Sequence, residues 1–264
     1  MKKTLKIFAF ALAILPMGLL TACGGGQLDF NPNVNVNNAG TYSASTKEDF
    51  NEVVIDETTN ENVDFSSYRM YMKMETKSKT IGNQTIPAMT ILTTGIYKIN
   101  ADGKLEMAIK NSTKTKDQTT DLEFYMPAGD YIYANMKMDS KAIDLDKKFR
   151  LPAEELSAVN NSTSNGEDVS FADILDEVQD ADSGITFEKA TSGERTNFKI
   201  TIEAGEDDVV VYFLFENNEI VACQYNVGSL LELKIEKYDG NIDFPSFGSE
   251  YLAIDDFSDM FDII

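Results

Sequence analysis

The feature that most restricts the fold is a two-residue alternation of apolar and polar side chains that recurs along the chain. It is clearest in the segment YRMYMKMETKSK, where one face of a strand would carry Tyr68, Met70, Met72 and Met74. Side chains two positions apart lie on the same face of a strand, so the pattern predicts a β-strand with one covered and one solvated face. Antiparallel sheets commonly show this alternation.

Further segments of strand composition are separated by short turn sequences. IPAMTILTTGIYKI and KLEMAIKNSTK flank Ala101-Asp102-Gly103, which predicts a hairpin because Asp-Gly supplies the positive φ of a tight turn. DLEFYM and YIYANMKM form the next predicted pair, so five strands within about 75 residues indicate an antiparallel meander. A second run of predicted strands comprises GITFEKA, TNFKITIEA, DVVVYFLFE, EIVACQYNV and LLELKIEKY, with NIDFP closing the sheet.

Two segments have helical character instead. Thr46 is a good N-cap with Asp49 three residues later, which predicts a short helix over TKEDFNEVV. Residues from about 152 to 182 lack strand alternation and predict a helical insertion. Within this insertion Ser170 is the expected N-cap, and four apolar residues recur at helical spacing, namely Phe171, Ile174, Leu175 and Val178.

These elements predict an α+β protein. Its core would be one large, curved antiparallel β-sheet with helices packed on one face. The predicted organisation is a signal peptide (1–22), a flexible Asn- and Gly-rich tether (23–46), a sheet domain (47–248) that contains the helical insertion, and an acidic C-terminal tail (249–264).

The N-terminus has the composition of an export signal. Three lysines precede an apolar run of about 14 residues, which is short for a membrane span. The run ends in Leu20-Thr21-Ala22-Cys23, which resembles the lipobox of bacterial lipoproteins. That resemblance implies that the Cys23 thiol carries a diacylglycerol and that the signal is removed just before it. A plain secretory signal with an incidental cysteine is the alternative.

The charge of the mature chain restricts its partners. Without residues 1–22, the chain has 242 residues and 20 Lys or Arg against 44 Asp or Glu, a net charge of −24. Such a chain is poorly suited to nucleic acid or to lying flat on anionic lipid. We expect it on the extracytoplasmic face of the membrane, tethered through Cys23. Gly24 replaces the aspartate that retains some lipoproteins in an inner membrane, so a Gram-positive cell is favoured and an outer membrane is the alternative.

The sequence offers little for catalysis. It contains no histidine, the commonest general base and metal ligand, and no nucleophile or phosphate-loop motif. Cys223 lies in an apolar segment and is interpreted as a buried structural thiol. The acidic runs at 206–208 and 255–256 lack the spacing of a calcium loop. We therefore expect no enzyme, no cofactor and no metal; an acid-only glycosidase, which needs two carboxylates, is the alternative.

The order of lipobox, tether, meander, insertion and second meander resembles the Lol-type lipoprotein carriers and the LppX/LprG-type lipid-binding lipoproteins. The resemblance covers roughly residues 48–248 and is carried by GIYKINADGKLEM, EFYMPAGDYIYANM and FLFENNEIVACQYNV. It implies that the sheet of residues 47–248 is a half-open barrel with helices packed on its concave face, and that an apolar cavity for acyl chains lies between the sheet and the helices.

Methionine, which is flexible and polarizable, suits an adaptable apolar surface. The predicted ligand-binding residues are therefore Met70, Met72, Met74, Met107, Met136, Phe171, Ile174, Leu175 and Val178. The alternative interpretation is an ordinary core beneath the helices. The predicted function is a non-catalytic, membrane-anchored lipoprotein that binds or passes a hydrophobic or lipid ligand. An envelope scaffold that binds another envelope protein and no small ligand is the other candidate.

Overall fold

The structure is a computed structural model, and it describes residues 40–54, 67–81, 84–141, 144–153, 184–203, 207–217 and 219–255. The strands are β1 (Ser43–Ser45), β2 (Ser67–Thr76), β3 (Lys79–Ile81), β4 (Gln84–Ile86), β5 (Met89–Ile99), β6 (Leu105–Thr115), β7 (Gln118–Met126), β8 (Tyr131–Ser140), β9 (Asp144–Pro152), β10 (Ile185–Ser192), β11 (Arg195–Ile202), β12 (Val209–Glu216), β13 (Glu219–Val227), β14 (Leu231–Lys237) and β15 (Leu252–Ala253). One helix, α1 (Lys47–Val54), is described.

Thirteen of these strands form a single open sheet in the order β1-β10-β11-β12-β13-β14-β2-β5-β6-β7-β8-β9-β15. Two antiparallel meanders, β5–β9 and β10–β14, meet on either side of β2, which pairs with β14 and β5. We call β2 and β5–β9 the N-terminal half, and β10–β14 the C-terminal half. The separate pair β3–β4 is a small hairpin between β2 and β5.

The two edge strands of the sheet are short, and they come from opposite ends of the described chain. β1, three residues long, pairs with β10, and it lies at the end of the predicted tether. β15, two residues long and within the predicted tail, runs parallel to β9, and Ile254 N donates to Arg150 O at 3.1 Å. Short edge strands leave few unpaired backbone groups, which limits edge-to-edge association.

The predicted α+β class with helices packed on the concave face of a half-open barrel is wrong. The described chain is almost entirely antiparallel sheet, and its one helix has eight residues. The prediction treated the segment that begins with FRLP as non-strand and expected helices from it to cover the sheet. In the structure FRLP forms the end of strand β9. Most of the predicted helical insertion lies outside the described residues, as do the signal peptide, Cys23, Phe171, Ile174, Leu175 and Val178.

Several local predictions are confirmed. β2, the β5–β6 and β7–β8 hairpins and the five strands of the second meander lie where the alternation placed them. Gly103 has φ of 74° in the Asp-Gly turn. The helix α1 begins with the expected capping box, because Asp49 N donates to Thr46 Oγ1 and Thr46 N donates to Asp49 Oδ2, both at 3.1 Å.

The predicted closing strand NIDFP is wrong. Residues 238–251, which we call the C-terminal strap, contain no strand and lie over one face of the sheet before β15 pairs with β9. The strap buries Ile242 against Ile96, Ala108 and Tyr125. NIDFP alternates apolar and polar residues only briefly, and a buried isoleucine in an extended chain gives the same pattern as a strand.

Candidate ligand-binding face

The two faces of the N-terminal half differ sharply in composition. We call the face that carries Met70, Met72 and Met74 the apolar face, and the opposite one the charged face. Cross-strand register places every methionine of β2 and β5–β8 on the apolar face. These are eight of the chain's eleven methionines: Met70, Met72, Met74, Met89, Met107, Met126, Met136 and Met138.

No charged side chain lies on the apolar face of β2 and β5–β8. On the charged face of the same five strands the register places eleven: Arg69, Lys73, Glu75, Lys98, Glu106, Lys110, Lys114, Asp121, Glu123, Lys137 and Asp139. Side chains that point to opposite faces of one strand therefore meet opposite environments. The apolar face of these strands thus presents no charge to a partner, whereas the opposite face carries charged residues around the apolar patch formed by Ile96, Ala108 and Tyr125.

The predicted methionines are brought onto one face but into two clusters. Met70, Met72 and Met74 pack in the first cluster, with the aromatic and branched residues of the C-terminal half. Met107 and Met136 pack in the second cluster, with β7, β8 and β9. Tyr97 contacts both clusters, so the apolar surface continues from one to the other.

Helix α1 covers the C-terminal half of the apolar face through Phe50. Its ring lies 5.2 Å from that of Phe198 and 5.3 Å from that of Phe213, centroid to centroid. Phe187 and Phe215 complete the aromatic shell around it. This end of the face is thus occupied by the chain's own side chains.

A buried polar group interrupts the apolar face between the two clusters. We call Thr93, Asn111, Thr113 and Thr120 the polar island; all four are buried. Asn111 Nδ2 donates to Thr93 Oγ1 at 2.7 Å, and Thr113 Oγ1 donates to Asn111 Oδ1 at 3.3 Å. Register places the island between Met72 and Met74 of β2 and Met136 and Met138 of β8.

The apolar face reaches solvent at the β5–β6 hairpin. Ile99 and Leu105 are register partners at the end of these strands, and they are 49% and 37% exposed. In the next pair inward on the same face, Tyr97 is partly buried and Met107 is buried. This open end joins solvent to the second cluster without a break in apolar character.

The charged face is covered by the C-terminal strap above a buried carboxylate. Glu123 is 0% exposed; its Oε2 accepts hydrogen bonds from Asn135 Nδ2 at 3.0 Å and from Tyr125 OH at 3.1 Å. Its Oε1 forms an ion pair with Lys110 Nζ at 3.2 Å, at an angle that does not make a hydrogen bond. Burial, followed by the nearby Glu123 charge, raises the pKa of Tyr125 well above its ordinary value.

Aromatic stacking fixes the strap over this carboxylate. The rings of Tyr133 and Phe247 stack at 3.9 Å with 10° between their planes, and Tyr251 meets both rings edge-on. Burial, then the adjacent Glu250 charge, raises the pKa of Tyr251 to about 12. The groups around Glu123 thus form a structural network of hydrogen bonds, an ion pair and stacked rings.

Cys223 lies in the first cluster, and burial raises the pKa of its thiol to about 12. A thiol held protonated is a poor nucleophile. Within the described ranges, no group of three or more Asp, Glu, Cys or His side chains is arranged to hold a metal ion. None of the helices in that same part of the chain has the length and apolar character needed to span a membrane.

Sequence reasoning found the methionines but missed the polar island and the Glu123 network. The signal for the island was present, since threonine and asparagine occupy apolar-face positions in three consecutive strands. The signal for Glu123 was absent, because nothing local shows that the strap returns to cover β7. In comparisons with known proteins, no family model and no curated relative matches this chain.

Proposed function

We propose that the protein is a non-catalytic, membrane-anchored lipoprotein that holds a hydrophobic ligand on the apolar face of its N-terminal half. The observation that carries this proposal is the apolar face of β2 and β5–β8, which holds no charged side chain and on which all eight sheet methionines converge. Unbranched, polarizable side chains adapt to irregular apolar partners, which is how Met-rich surfaces accept varied ligands.

The distribution of methionine supports a role beyond packing. The C-terminal half builds its part of the apolar face mainly from phenylalanine, valine, leucine and isoleucine, together with Cys223 and Tyr225, and has no methionine. Both halves need a core, yet only one uses the adaptable residue. Defined side chains such as those of the C-terminal half specify a unique packing better than methionine does.

The open end suggests the route by which a ligand reaches this face. Large apolar side chains that are exposed among the described residues are Ile99, Leu105, Tyr131 and Leu252, and all four belong to the N-terminal half or its edge strand. Since Met107 is buried just inside this end, an acyl chain would enter between Ile99 and Leu105 and displace the groups that cover Met107. The anchor at Cys23 would keep this end near a lipid source.

Native mass spectrometry of the purified protein after exposure to a cell lipid extract tests the proposal. We expect a mass increment of one lipid, and we expect it to decrease when Met107→Glu places a charge on the apolar face. Lys104→Glu, in the β5–β6 turn, is the matched control because it adds the same side chain in an exposed position. Protein that remains ligand-free under all conditions would contradict the proposal.

Attachment to the membrane is tested separately. We expect the N-terminal peptide of the protein from membranes to begin at Cys23 and to carry the mass of a diacylglycerol. We expect Cys23→Ser to remove both the modification and membrane association. An unmodified Cys23 in membrane-associated protein would contradict the anchor and leave the ligand proposal standing.

A further inference from the structure

We propose that the polar island selects the head of the ligand, and that this head is uncharged and carries hydroxyl or ester oxygens, as in an acylglycerol. The inference rests on the proposed function, because it names the class of ligand for the same face. It is carried by the position of the island, which lies on the apolar face between the methionines of β2 and those of β8. Gln118, on the same face, extends the island by donating to Thr120 Oγ1 at 3.0 Å.

Stability does not require these polar groups. A buried hydroxyl or amide has to be hydrogen-bonded to avoid a desolvation cost, and replacing both partners by apolar groups of similar shape is often neutral or stabilising. Valine has the shape of threonine and would continue the apolar surface at positions 93, 113 and 120. The island therefore maintains hydrogen-bonding groups at a place where packing alone would favour their loss.

The chemistry of the island suits an uncharged head. Each threonine hydroxyl both donates and accepts, and the Asn111 amide carries two N–H donors, of which the bond to Thr93 uses one. Such groups can exchange their mutual hydrogen bonds for bonds to hydroxyl or ester oxygens of a ligand. The island is 1–8% exposed, so these bonds would form away from water.

A charged head fits poorly because neither the island nor the strands around it carry a counter-charge on the apolar face; Lys147, the register partner of Met136, lies on β9 and is exposed. A phosphate or carboxylate on the island would lose its hydration and meet no Lys or Arg on the apolar face of β2 or β5–β8. Burial of an unpaired charge costs far more than burial of a hydroxyl. We therefore expect discrimination against fatty acid anions and anionic phospholipids.

The test compares three probes of similar chain length by native mass spectrometry and competition: 1-monooleoylglycerol, oleate at pH 8, and the headless hydrocarbon 1-octadecene. We expect monooleoylglycerol to bind at least about tenfold more tightly than oleate. In the double variant Thr93→Val/Asn111→Leu, affinity for monooleoylglycerol should fall about tenfold, the effect of one or two lost hydrogen bonds. Octadecene binding should not change.

Thr94→Val is the matched control. Thr94 is the next residue of β5, is also buried, and points to the charged face. It should leave all three affinities unchanged. Thr113→Val offers a second, milder test if the double variant does not fold, with an expected loss for monooleoylglycerol of a few fold.

Tighter binding of oleate than of monooleoylglycerol would overturn the inference, as would equal monooleoylglycerol affinity in the wild type and the island variants. The second outcome would make the island a device that fixes the register of β5, β6 and β7. If none of the three probes binds, the proposed function fails instead. The two failures are thus distinguishable.

Discussion

The two halves of the sheet solve the same packing problem with different side chains. The C-terminal half covers its apolar face with helix α1 and an interlocked set of phenylalanine rings around Phe50. The N-terminal half uses methionines and a polar island on that face. Its strap and buried ion pair lie on the opposite one. The comparison suggests that one half is built for a fixed core and the other for an exchangeable partner.

The two halves also differ in net charge. Residues 67–152 contain fourteen Lys or Arg against ten Asp or Glu, whereas residues 185–237 contain five against ten. The N-terminal half is thus net positive in a chain whose formal charge is −21. Acidic residues elsewhere keep the protein soluble and repel anionic surfaces, and this half is the part least subject to that repulsion.

The largest expected effect lies in the fixed core. Phe50→Ala removes a fully buried ring from contact with four others, so the free energy of unfolding should fall by about 3–5 kcal/mol. Urea unfolding followed by circular dichroism measures it. Glu52→Ala, an exposed change on the same helix, should cost less than about 0.5 kcal/mol. A loss below about 1 kcal/mol for Phe50→Ala would show that α1 does not hold this half together.

The next effect tests whether the N-terminal half draws stability from its charged face. Lys110→Met leaves the buried Glu123 carboxylate without its cation, so the free energy of unfolding measured in urea should fall by about 2–3 kcal/mol. This loss is smaller than the loss for a deeply buried ion pair because Lys110 is partly exposed. Adding Glu123→Gln should recover much of that loss, because the double variant removes the unpaired charge.

The exposed pair Lys141–Asp117 supplies the control for that experiment. Its atoms are 2.7 Å apart, but water surrounds them, so Lys141→Met should change stability by less than about 1 kcal/mol. Equal losses in Lys110→Met and Lys141→Met would mean that the strap does not shield Glu123 from solvent.

A smaller effect on stability is expected from methionine on the apolar face. Met72→Leu and Met136→Leu conserve volume and should each cost less than about 1.5 kcal/mol. Because leucine is branched and less adaptable, the same variants should narrow the range of acyl lengths found by native mass spectrometry. Phe213→Leu in the C-terminal half is the contrasting change and should leave that range unaltered. If Phe213→Leu narrowed the range of acyl lengths and the two methionine variants did not, the ligand would lie on the C-terminal half and the proposal would be wrong.

The smallest effect concerns the start of α1. Hydrogen bonds from the Ser45 hydroxyl and the Thr46 N–H hold the pKa of Asp49 below its ordinary value of 3.8. A lowered pKa means that the stabilisation is present above the ordinary value and is lost as the pH falls through the folded one. The stability lost between pH 6 and pH 3 should therefore be smaller in Asp49→Ala than in the wild type. An identical loss would show that the capping box adds nothing.

Local pattern was enough to predict ten of the long strands, but it missed β9 and did not show what covers the sheet. Alternation placed β2 and the hairpins, and Thr46 with Asp49 placed α1, because each of these depends on neighbours in sequence. The β14–β2 pairing, the strap over Tyr133 and the burial of Glu123 depend on residues over 100 positions apart. Such contacts leave no period in the sequence, so the class was predicted as α+β where the described chain is almost all sheet.

The central claim is that the N-terminal apolar face, and not the aromatic core, receives the ligand. Methyl NMR of protein labelled at its methionine methyl groups and its isoleucine δ1 methyl groups, titrated with 1-monooleoylglycerol, tests it most directly. We predict saturable shifts for the methyl groups of Met72, Met107 and Met136, with that of Ile200, deep in the aromatic core, unmoved. Shifts confined to Ile200, or no shifts at saturating lipid, would contradict the claim.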